Sequence, residues 1–120
     1  MRLVDANVIL RYVLKDHPEM SEQARKTIEA GACTTIEVLA EVIYVLRGVY
    51  KAERGEMAGV LINLLREMEI EKKPAVLYAL RVYGETTLDF VDCVLAGYHH
   101  EMGIDIMTFD KKLNRLLDNI

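Results

Sequence analysis

A chain of 120 residues, 52% hydrophobic and 28% charged, has enough apolar mass for one compact domain and too much for a disordered one. Its formal net charge of −4 excludes a protein that coats nucleic acid through a broad basic field. It leaves room for an acidic site that holds cations. No apolar run is long enough to span a bilayer, and no basic, apolar leader opens the chain, so the expected setting is the cytoplasm. Cys33 and Cys93 lie far apart and lack metal-type spacing, which suits two buried small hydrophobes.

The elements follow in order along residues 1–120, read as one domain. Residues 2–5, RLVD, read as a short strand, and residues 7–14, NVILRYVL, as the helix after it. Residues 19–31 form a second helix closed by Gly31. ACTT at 32–35 is a brief strand. A long helix over 35–51 follows, opened by a capping box from Thr34 to Glu37. Residues 54–68 make another helix, and EIEKK at 69–73 a short edge strand. Pro74 starts a helix to Glu85, and residues 88–103 form a helix capped by Gly103. IDIMTF at 104–109 reads as the last strand and residues 110–119 as the last helix. Strands alternating with helices predict an α/β fold, a small parallel sheet flanked by helices.

Acidic residues recur where such a fold binds ligands, beyond the carboxyl ends of the strands. Asp5 closes the first strand, and Asp110 follows the last. Asp92 falls in the opening turns of the helix after Leu88, and Glu41 in the second turn of the helix after Thr35. Plainer roles compete. Asp5, Asp89 and Asp110 all suit a helix N-cap. Glu37, Glu41, Tyr44 and Gly48 share one helical face, which is either a wet surface or the wall of a cleft. Asp89 and Asp92 are helical neighbours beside a favourable dipole. His17, His99 and His100 pair with no Cys or acid at ligand spacing and read as surface residues.

Several carboxylates in one cleft repel each other unless a cation neutralises them. Oxygen-only ligation suits Mg2+ or Mn2+ rather than zinc. The chemistry such a site serves best is phosphodiester hydrolysis by an activated water.

Four stretches carry a family resemblance: LVDANVIL at the start, TTIEVLAEVIYVL in the middle, LDFVDCVLAGY later and IMTFDKKL near the end. In this order and spacing, over nearly the whole chain, they resemble the PIN-domain family, and within it the small VapC-type toxins of toxin–antitoxin modules. The resemblance implies a three-layer α/β/α fold with a short parallel sheet. It implies a Mg2+- or Mn2+-dependent endoribonuclease that acts on RNA, forms homodimers and is held by a small antitoxin protein. Asp5, Glu41, Asp92 and Asp110 match the family's acidic site, with Asp5, Asp92 and Asp110 as metal ligands. Asn7 and Thr108 match its supporting polar residues, and Asp89 becomes a cap or outer support. Two apolar stretches, EMAGVLINLL and AVLYALRVY, offer faces for a dimer or antitoxin groove, or for ordinary core packing. The chain lacks a dense Lys/Arg patch. Arg11, Lys15, Arg47 and Lys51 are the nearest cations for phosphate contacts. A PIN-like nuclease of RNA maturation and an inactive PIN-like scaffold are the alternative readings.

Overall fold

Asp5 ends the first extended stretch and starts the first helix in one step. Its Oδ1 accepts the Val8 N–H at 3.1 Å, which satisfies one of the orphan donors of the first turn. In the computed structural model, which describes residues 1–120, the preceding strand is β1 (Arg2–Leu3) and the helix is α1 (Ala6–Leu14). Helix α2 (Pro18–Glu29) leads into β2 (Ala32–Thr34), and Thr35 then caps α3 (Ile36–Gly48) through its hydroxyl. Helix α4 (Arg54–Leu64) and β3 (Glu69–Ile70) follow, then α5 (Lys73–Glu85), α6 (Phe90–Met102) and α7 (Lys111–Asp118).

The three strands form one parallel sheet in the order β1-β2-β3. Arg2 pairs with Ala32, and Leu3 with Cys33. Cys33 pairs with Glu69, and Thr34 with Ile70. Side chains alternate across a strand, so this register gives the sheet two unlike faces. Val4, Ala32, Thr34 and Ile70 are buried on one face. On the other, Leu3 is 65% exposed, Cys33 is half-buried and Glu69 is exposed. The α/β class and the parallel sheet read from the sequence are both present.

The core runs from the covered sheet face into the helices. Ile9, Leu39, Leu61, Leu80 and Leu113 are almost completely buried, each contributing roughly 2 kcal/mol of apolar burial. Helices α5 and α6 pack most closely. A Cβ on Gly97 would lie 2.3 Å from the Ala75 carbonyl oxygen, so only glycine permits this crossing. Met57, Ala58, Leu61 and Leu64 of α4, with Val76, Ala79, Leu80 and Tyr83 of α5, are buried within the chain. The apolar stretches considered for a dimer or antitoxin groove are thus largely core.

One expected element is absent. Residues 104–109 form no strand. Ile104, Met107 and Phe109 are exposed, Phe109 by 89%. The alternation of IDIMTF fits a strand, but a strand also needs a ladder partner, and these residues pair with neither open edge, β1 or β3. Here Gly103 turns the chain in the left-handed region at φ +66°. Ile104 then spends its N–H on the Tyr98 carbonyl, and its carbonyl meets His99 Nδ1 at 2.9 Å. These bonds fasten the start of the segment to the end of α6 rather than to the sheet. Asp110 accordingly follows a loop, not a strand.

Candidate acidic site

The loop between α5 and α6 is held from outside by one arginine. Arg54, in the first turn of α4, donates Nε to the Tyr83 carbonyl at 2.9 Å and a terminal N–H to the Leu88 carbonyl. Its guanidinium lies 3.7 Å from the centre of the Tyr83 ring. Thr86 adds a local lock, donating to the Val82 carbonyl at 2.8 Å and accepting from the Leu88 N–H at 3.3 Å. The two residues thereby fix the chain just before Asp89. The sequence reading missed Arg54. A half-buried arginine has no periodic signature that separates it from a solvated one.

Asp89 is the N-cap residue of α6 by position, yet its side chain makes no capping bond. Its carboxylate remains free. Asp92 is half-buried one turn later. Asp110 caps α7, accepting the Leu113 N–H at 2.8 Å, while its own N–H donates to Thr108 Oγ at 3.0 Å. Asn114 Nδ2 donates to the Thr108 carbonyl at 2.9 Å and tightens the same turn. Thr108 thus supports Asp110 through backbone rather than through its carboxylate.

Asp89, Asp92 and Asp110 border a single hollow of about 380 Å³, together with Thr87 and Lys112. Lys112 Nζ donates to Thr87 Oγ at 3.2 Å, so a cation stands among the acids. The Asp92 carboxyl is pushed above its ordinary value, first by burial and then by the neighbouring Asp110 and Asp89 charges. Such a carboxylate gains from any cation that enters.

Asp5 and Glu41 stand outside that hollow. Asp5 is exposed at the start of α1, with one oxygen used by the cap, and Asn7 is exposed beside it. Glu41 is exposed on α3, one turn before Tyr44. No three His, Cys, Asp or Glu side chains are grouped closely enough to hold a metal ion. The donor type around Asp92 suits a hard divalent cation, since every acid offers oxygen only. The full set expected from the sequence is not gathered in one place.

The remaining singled-out residues sit elsewhere. His17 caps α2 by accepting the Met20 N–H at 3.2 Å, and His100 stacks on Tyr78 with ring centres 4.1 Å apart. Cys93 is buried, and burial pushes its thiol up to about 11. Cys93 is thus not poised as a nucleophile.

The PIN domain family matches residues 2–118, nearly the full length. The chain belongs to the PIN domain family. A VapC ribonuclease from Aquifex aeolicus (strain VF5) is 25% identical to it over 129 aligned positions, covering 97% of this chain and 92% of that protein. No solved structure matches it significantly.

Proposed function

We propose that this PIN domain is a metal-dependent endoribonuclease and the toxin of a toxin–antitoxin pair. The observation that carries the reading is the hollow of Asp89, Asp92 and Asp110, where burial and then the neighbouring charges raise the Asp92 carboxyl. Uncompensated carboxylates are costly to bring together, and a divalent cation offsets that cost. The similarity to a VapC ribonuclease supports RNA as the substrate, and a small antitoxin partner enters on the strength of the resemblance.

Asp92 and Asp110 would hold Mg2+ or Mn2+, with Asp89 supporting it. The cation would supply Lewis acidity for water activation and offset charge on the phosphodiester. Lys112 stands at the same hollow and would contact a phosphate oxygen directly. Thr108 and Asn114 fix the backbone at Asp110, and the Leu113 N–H holds its carboxylate. Asp5, Glu41 and Asn7 enter the site on the strength of the resemblance. A cytoplasmic homodimer is the form that goes with this reading. No helix is long and apolar enough to cross a membrane.

The test incubates the purified protein with mixed RNA in Mg2+, in Mn2+ and in chelator, beside Asp92→Asn and Asp5→Asn. Metal-dependent cleavage lost in both variants supports the whole acidic set. Cleavage lost in Asp92→Asn alone restricts the site to the hollow by α6. Absence of cleavage together with absence of cation binding overturns the proposal.

A further inference from the structure

A second, larger hollow of about 940 Å³ adjoins the first, between α3 and the start of α6. Asp89 and Asp92 line both, so the two share a wall. Its floor is apolar, formed by Ile43, Tyr83 and Phe90, all buried. Tyr44 stands at its rim, 79% exposed, an aromatic ring that contributes almost nothing to the core. Arg47 lies three residues on and therefore on the same side of α3. It makes a single long bond, 3.4 Å from its guanidinium to the Ala52 carbonyl, and no salt bridge, although the Glu53 carboxylate feels its charge. Arg54 also lines the hollow, but its guanidinium is committed to backbone carbonyls.

We propose that this hollow is a subsite for one base of single-stranded RNA, stacked on Tyr44, with Arg47 on the adjoining phosphate. The proposal rests on the ribonuclease reading and extends it to how the substrate is held. Three observations point the same way. The volume falls within the range of sites that enclose a small organic group, roughly 300–1,000 Å³. An exposed ring next to an unpaired guanidinium is the pairing that binds single strands without reading sequence. The shared wall of Asp89 and Asp92 puts the phosphodiester beside such a base at the acids. In a chain of net charge −4, Arg47 supplies local attraction where the acids would otherwise repel the strand.

The experiment measures RNA cleavage kinetics in Mg2+ for the wild type, Tyr44→Ala, Tyr44→Trp and Arg47→Ala. Binding of a labelled, mixed-sequence ten-nucleotide RNA is measured by fluorescence anisotropy in an Asp92→Asn background. Because Tyr44 and Arg47 are exposed, the variants should melt with the wild type. Tyr44→Ala is expected to weaken binding by about 5- to 100-fold, with the loss falling on KM more than on kcat. Tyr44→Trp should restore the affinity. Arg47→Ala should weaken binding and lower its salt dependence by about one contact. Wild-type cleavage with unchanged Kd and KM in Tyr44→Ala overturns the subsite and leaves the ribonuclease reading standing. A Tyr44→Ala protein that changes from dimer to monomer and keeps its RNA affinity makes the hollow a protein interface, and also overturns it. A wild type that neither cleaves RNA nor binds the divalent cation overturns both.

Discussion

Asp92 carries two opposed demands. Burial and the Asp110 and Asp89 charges disfavour its ionised form, and an incoming cation, as the proposed function requires, would favour it. A carboxyl whose folded value lies above its unfolded one binds more protons in the native state. Stability then falls as pH rises from the unfolded value through the folded one, and the charged group is a liability at neutral pH. Asp92→Asn removes that liability. In chelator at neutral pH it should raise Tm by about 1–3 °C by calorimetry, while cleavage falls at least about 100-fold. A variant that loses activity and Tm together would place Asp92 in the fold instead. Tyr12 is shifted in the same direction, but by a bond that stabilises the folded chain. Its hydroxyl donates to Glu67 Oε2 at 2.5 Å and is pushed up to about 12, first by that bond. This stabilisation is fully present below pH ~10, the ordinary tyrosine value, and is lost as pH rises from there toward 12. Tyr12→Phe should lower Tm at pH 7 and flatten the alkaline decline in a pH series of melting curves.

At the scale of elements, the pairing of α5 with α6 decides where the acids stand. Gly97 lets the helices touch backbone to backbone. Gly97→Ala would drive a methyl group to 2.3 Å from the Ala75 carbonyl oxygen and force the helices apart. The expected cost is about 2–4 kcal/mol in urea unfolding, with a shifted position for Asp92. Arg54 ties the start of α4 to both sides of the α5–α6 loop. Arg54→Ala leaves two carbonyls without a charged donor and uncovers the Tyr83 ring, at a cost of about 2 kcal/mol. Hydrogen exchange should quicken at residues 86–90 before it does so in the helix interiors. Equal exchange at those amides would show that Thr86 alone holds the loop.

Across the whole molecule, most local elements were legible, and for definite reasons. Thr35 and Asp5 cap where side-chain oxygens precede apolar periodicity, and Gly103 ends α6 in the left-handed region that glycine permits. The brief strand near Glu69 was legible as an edge, and it lies at the edge. The acidic set was legible by residue type and by the family pattern. Its geometry was not, because periodicity on one helix says nothing about the distance to another.

The sequence by itself determined the α/β class, the capped helices, the oxygen-only character of the acids and membership of the PIN domain family. These follow from local bonding, side-chain period and residue chemistry, all of which act over a few positions. Only the tertiary structure decided that Asp89, Asp92 and Asp110 share a hollow with Lys112, while Asp5 and Glu41 stand outside it. It alone decided that residues 104–109 stay out of the sheet, since strand pairing depends on an edge contributed by distant residues. It also gave Arg54 its two carbonyls, 29 and 34 positions away, because a long side chain finds its partners only after the helices have packed.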